Sequence, residues 1–237
     1  MIKNNNIGVR YLYRYGDKLA RHGNESEAAE VFQLVIEKDL KCFKKECLKS
    51  YIYLAALSEK KKNFPSAFSW LDQLAKNSFY EAASFYKARL HINLGQEELA
   101  QEELKKCLSL NPLEYRCHQL LVQVLQSEKS PELEKEILSL YAQHPSSQDA
   151  LKEIFNFYMD QEDIPRAMIY LSELSWFEPH NLFIKFQLAL HHEMEKQYDL
   201  SQDYMKQIQI LEPDFMVDLG LKSLTSEQRS PSDDSNP

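Results

Sequence analysis

Glycine and proline are scarce, with 5 and 9 in 237 residues. A domain of many short strands needs more turn formers than that, so a helical chain is expected. Cysteine is scarce too: Cys42, Cys47, Cys107 and Cys117 are the only four. A chain this long can bury a core without disulfide staples, and the cysteines read as reduced, partly buried thiols. No uninterrupted apolar run approaches the roughly 20 residues of a membrane-spanning helix. The opening stretch MIKNNNIGVRYLYRYGD lacks the apolar segment of a secretory signal. A cytoplasmic location without membrane insertion is the expectation. Catalytic signatures are also missing, because the five glycines are scattered and build neither a phosphate loop nor a nucleophile elbow. Cys42 and Cys47 lack zinc-site spacing, and the adjacent His191 and His192 point about 100° apart on a helix. The chain is read as no enzyme, with no cofactor and no metal.

What is present fills a core. Hydrophobic residues make up 43% and aromatic residues 11%, which excludes a disordered or collagenous chain. The formal charge of −8 is unevenly spread. Residues 1–80 hold 14 Lys/Arg against 9 Asp/Glu, and residues 81–237 hold 14 against 27. That balance of +5 and then −13 disfavours nucleic acid as a partner, while the basic first third suits an acidic one.

A repeat runs through most of the chain. Pro112, Pro145, Pro179 and Pro213 follow one another at steps of 33, 34 and 34. Ala100, Leu133, Ala167 and Ser201 keep the same steps, and Ala67 and Ala28 extend the series backward by 33 and 39. Four residues further on stand Phe32, Leu71, Leu104, Ile137, Leu171 and Met205, and three further Val35, Leu74, Cys107, Leu140, Leu174 and Ile208. Offsets of four and then three lie on one helical stripe. Twelve residues ahead of each small position come Gly16, Ala55, Ala88, Leu121, Phe155 and Ala189, most of them small enough for close helix approach. Polar turns (HGNES, KKNFP, NLGQE, SEKSP, QEDIP, EKQYD) separate two amphipathic helices in each repeat. One pair cannot bury both apolar faces, so the pairs must stack.

The pattern resembles the tetratricopeptide repeat, whose period is about 34 residues. In the first repeat Leu12, Tyr15, Gly16 and Leu19 match the family's first-helix positions, and Ala28 and Phe32 its second-helix ones. The third repeat matches with Ala88, Gly95, Ala100, Leu104 and Pro112, and the fifth with Leu151, Ile154, Tyr158, Ala167, Leu171 and Pro179. No repeat carries the family's Trp, the first has Leu40 in place of Pro, and the fourth has Leu133 in place of Ala. The resemblance implies an all-α, right-handed superhelical solenoid of antiparallel helix pairs. One array is expected over 1–224, with repeats at 9–42, 48–81, 81–114, 114–147, 148–181 and 182–215. A cap follows at 216–224, and then a disordered tail at 225–237. The 39-residue step predicts a longer helix around Cys42 and Cys47. Trp70 and Trp176 are expected in the core.

The resemblance also implies a binding surface, since the family's first helices line a groove for a peptide or a partner helix. Carried over, that groove starts with Arg10, Tyr13, Arg14 and Arg21 and continues with Lys49, Ile52 and Tyr53. Phe85, Tyr86 and Arg89 come next, then Tyr115, His118 and Gln119. Asp149, Lys152, Glu153, Asn156 and Asp160 follow, then Phe183, Phe186 and Gln187. It is basic with tyrosines at the start, acidic in the fifth repeat and apolar in the sixth. Tyrosine and arginine suit binding hot spots because they combine area with directed donors. The implied function is a protein–protein scaffold or adaptor; a secretion chaperone of this family and a helical-repeat RNA binder are the alternatives.

Overall fold

The structure, a computed structural model, describes residues 8–39, 45–77 and 79–215. They form α1 (Val9–Arg21), α2 (Glu25–Lys38), α3 (Lys45–Lys60), α4 (Phe64–Lys76), α5 (Tyr80–Asn93) and α6 (Glu97–Leu110). There follow α7 (Tyr115–Ser127), α8 (Leu133–Gln143), α9 (Gln148–Asp160), α10 (Ile164–Phe177), α11 (Leu182–Met194) and α12 (Tyr198–Leu211). No strand occurs among the described residues. At 16 residues α3 is the longest described helix, in line with the extra residues of that repeat. Residues 40–44 with Cys42, the expected cap at 216–224 and the expected tail at 225–237 lie outside the described residues.

The chain divides into two compact units, one ending at His144 and the other beginning at Pro145, where the repeat pattern led to the expectation of one array. The division follows the fourth repeat, whose second helix is the shortest described, at 11 residues. In the first unit each helix packs on the next, and α1 also meets α3, and α5 meets α7. In the second, α9 packs on α10, α10 on α11 and α11 on α12. Pairs joined by turns of a few residues are necessarily antiparallel. The repeated stripe is what they bury: Ala28, Val35, Leu74, Ala100, Leu104, Ile137, Leu140, Ala167 and Ile208 are shut off from solvent almost completely. At Gly16 a Cβ would come within 3.1 Å of the Phe32 ring, so this residue lets α1 and α2 close up.

The turn inside every repeat has one geometry. Gly23, Lys62, Gly95, Lys129, Glu162 and Lys196 all take left-handed φ, between 51° and 79°. The next residue donates its N–H to the carbonyl five positions back, as from Asn24 to Leu19, Asn63 to Ser58 and Gln197 to His192. This is the Schellman closure of a helix end, where glycine is the natural occupant. Four of the six sites carry a side chain there and bear a steric cost of roughly 1 kcal/mol each. Lys62→Gly and Lys129→Gly should therefore each leave the first unit as stable or up to about 0.5 kcal/mol more stable, the steric relief less the added freedom of glycine in the unfolded chain. Urea midpoints check this, and a clearly lower midpoint for both would contradict the turn geometry.

Two expectations are corrected. Cys107 and Cys117 are joined by a disulfide with Cα atoms 6.5 Å apart, and Cys47 is disulfide-bonded as well. The register places Cys107 in the last turn of α6 and Cys117 in the first turn of α7, both fully buried side by side. Trp176 is 83% exposed, because it lies on the face of α10 opposite Ala167, Leu171 and Leu174; Trp70 is half-buried and packs against Tyr51.

Candidate partner-binding surface

The repeat register puts one outward row of four residues on each first helix. On α1 the row is Arg10, Arg14, Asp17 and Arg21, with all three arginines exposed. Arg21 is paired with Asp17 at 2.8 Å and Arg10 lies 3.8 Å from Glu46, whereas Arg14 makes no ion pair among the described residues. On α3 the row is Lys49, Tyr53, Ala56 and Lys60, and Lys60 reaches Glu25 at 2.5 Å. These rows stand on an aromatic base: the Phe32 ring packs 5.6 Å from Tyr13 and 4.4 Å from Tyr53. Lys49 Nζ lies 5.9 Å from the centre of the Tyr13 ring. Burial, helped by nearby carboxylates, raises both tyrosine hydroxyls above their ordinary pKa, so both stay neutral donors. Ile52 is half-buried against the neighbouring core.

On α5 the row continues with Ala82, Tyr86, Arg89 and Asn93. Phe85 and Tyr86 form an edge-on pair at 5.3 Å, with the Arg89 guanidinium 5.8 Å from the Tyr86 ring. Arg116 of α7 lies 5.0 Å from the Phe85 ring and is held by Glu114 at 2.8 Å. The sequence reading missed Arg116. The packing of α5 on α7 is what brings it to Phe85.

The fourth repeat contributes little to this face. Tyr115 and Gln119 are half-buried and Val122, next in the row, is fully buried. His118, expected in the groove, is 4% exposed. Its Nδ1 lies 2.6 Å from Glu136 Oε1 and its Nε2 2.9 Å from the Pro112 carbonyl. Both partners are acceptors in their ordinary states, a pairing that favours the doubly protonated ring. It forms part of the wall of a cavity of about 550 Å³ between α6, α7 and α8, at whose rim the exposed Lys105 is paired with Glu132 at 3.0 Å.

Burial alone would lower the His118 pKa, but the Glu136 hydrogen bond, the Pro112 hydrogen bond and the Glu136 charge together raise it. His144, 6.1 Å from His118, moves the other way, through burial and the His118 charge, with Glu114 opposing. Its buried Nε2 has no hydrogen-bond partner among the described residues, as suits a neutral ring. A raised folded pKa gives stability that is present below the unfolded value of about 6.5 and lost as pH rises through the folded value. The lowered His144 acts in reverse, costing stability as pH falls from about 6.5 towards its folded value. Stability of the first unit should thus peak near neutrality. Urea midpoints against pH should lose the alkaline fall in His118→Asn; a variant that keeps it would show that His118 is not the group.

In the second unit the row on α9 is Asp149, Glu153, Asn156 and Asp160. Lys152 beside it is taken up by Glu178 at 2.6 Å, and Glu178 also accepts from Asn181, the N-cap of α11. The row on α11 is Phe183, Gln187, Leu190 and Met194, while Phe186 is buried and packs 6.2 Å from Phe215. No group of three or more potential metal ligands occurs among the described residues, and no described helix is long and apolar enough to cross a membrane.

No protein-family model and no curated protein sequence matches the chain. Solved structures do. PilF of Pseudomonas aeruginosa is 14% identical, over 90% of this chain and 97% of that one, with a TM-score of 0.56. YrrB, described as a TPR protein with an unusual peptide-binding site, is 13% identical over 81% of this chain and 97% of its own, with a TM-score of 0.51. A chain of the Cut9–Hcn1 hetero-tetramer of the APC/C is also 13% identical, over 93% of this chain and 43% of that one, again at 0.51. In fold, the chain is a helical-repeat protein of the tetratricopeptide type.

Proposed function

We propose that the chain is a protein-binding module without chemistry of its own, which holds an acidic peptide segment of a partner on the first-helix face of its first unit. The observation that carries this reading is the exposed run Arg10, Arg14 and Lys49 on two successive first helices, above the half-buried Tyr13 and Tyr53. Cations at the rim steer an acidic segment in, and the tyrosines offer rigid area with a donor at the edge. The TPR fold of YrrB, a protein described by its peptide-binding site, supports the class. The cytoplasmic expectation rested on the missing secretory signal and spanning run and on the scarcity of cysteine; the buried Cys107–Cys117 bond favours an oxidising compartment instead.

Panning a random peptide library on the intact protein tests the proposal. Asp- and Glu-rich peptides should be enriched, should resist displacement by single-stranded RNA, and should be lost with Arg10→Glu and Arg14→Glu together. Enrichment without acidic bias, or RNA displacing every peptide, would refute it.

A further inference from the structure

The outward row changes character between the two first helices of the second unit. Asp149, Asn156 and Asp160 on α9 recur 34 residues later as Phe183, Leu190 and Met194 on α11. Those three apolar side chains are 61%, 38% and 77% exposed. Their offsets of seven and four make one ridge along α11, about 16 Å long at 1.5 Å per residue. An exposed ridge of large apolar groups marks an interaction surface more often than an idle one. Asp149, Glu153 and Asp160 make no ion pair among the described residues, and Lys152, the basic residue on α9, is neutralised by Glu178 at 2.6 Å. Lys152 reaches Glu178 at the end of α10, which also accepts from Asn181 at the start of α11, so α9 lies against the connection that leads into the apolar helix.

We propose that this face docks a cationic amphipathic helix of a partner protein, which rests on the broader reading of the chain as a protein-binding module. A helix is the matching shape, because an i, i+7, i+11 ridge interdigitates with apolar residues of like spacing on a facing helix. An extended strand would need backbone partners, and the two rows supply amides only at Asn156 and Gln187. The charge of the partner follows from α9: lysines or arginines flanking the apolar stripe would meet three carboxylates. The chain's own segment 216–224, MVDLGLKSL, carries one Asp and one Lys and does not complement that charge.

The test uses the full-length protein and a synthetic helical peptide with leucines at i, i+4, i+7 and i+11 and flanking lysines. Controls are its glutamate counterpart and a lysine–serine peptide of equal charge. Fluorescence anisotropy should show binding of the first alone, with a gain in peptide helicity. Phe183→Ser with Leu190→Ser should weaken it at least tenfold, and Asp149→Lys with Asp160→Lys should slow association in a salt-dependent way. Equal binding of the lysine–serine peptide, or no loss on the serine substitutions, overturns the proposal. So does a large affinity gain in Leu219→Ser/Leu221→Ser, which would make the chain's own C-terminal segment the occupant. If the leucine–lysine peptide does not bind while acidic peptides still bind the first unit, this inference alone fails; if neither binds, both readings fail.

Discussion

Reducing the Cys107–Cys117 bond should destabilise the first unit by about 3 kcal/mol, the chain-entropy value for a cross-link closing a loop of roughly ten residues. The bond joins the end of the third repeat to the start of the fourth, inside a cluster with Ala88, Ala100, Leu104, Leu121 and Leu125. Because Cys47 is disulfide-bonded too, comparing reduced with oxidised protein in a Cys47→Ala background isolates this cross-link, and both of its sulfurs stay in the core. Repeat arrays couple mainly to nearest neighbours. Hydrogen exchange should therefore speed up most in α6 and α7 and least in α1 and α2. Thiol titration in denaturant without reductant should find neither cysteine reactive. Identical melting of the two forms, or two reactive thiols, would restore the reduced reading and with it the case for the cytoplasm.

Reversing Arg10 and Arg14 to Glu should weaken an acidic ligand of the first unit by more than about 1.4 kcal/mol, a tenfold change. Arg14 is the more informative position, because Arg10 already sits 3.8 Å from the nearly buried Glu46. Most of the loss should fall on the association rate and shrink at high salt, as expected of rim charges that steer encounter. Tyr53→Ala should act differently, raising the dissociation rate. It also strips one ring from Phe32, at a centroid distance of 4.4 Å, so its effect counts only if the melting temperature is held. Glu30→Lys with Glu37→Lys on the exposed side of α2 is the control and should change little. If the control abolishes binding and the α1 pair leaves it intact, the ligand lies on the second helices.

The period, the helix pairing and the buried stripe are legible in the order of residues alone. Spacing of small and apolar residues is a one-dimensional signal, and Ala28, Ala67, Ala100 and Ala167 all lie buried where it put them. It also located the outward rows closely enough to place Arg10, Lys49, Tyr86 and Asn156 on the first helices. It did not show the left-handed closures, since Lys62, Lys129, Glu162 and Lys196 are ordinary surface residues until the turn forces their φ. Nor could it separate His118 from its neighbour Gln119, because a rotation of about 100° around a helix decides burial, and that rotation is set by what packs alongside. Trp176 was misplaced for the same reason. The disulfide needed more still: ten residues of separation allow many Cα distances, and only the docking of α6 against α7 brings Cys107 and Cys117 to 6.5 Å. Local pattern is written in the order of residues, whereas which side chains meet across two helices depends on crossing and rotation, which only the folded chain contains.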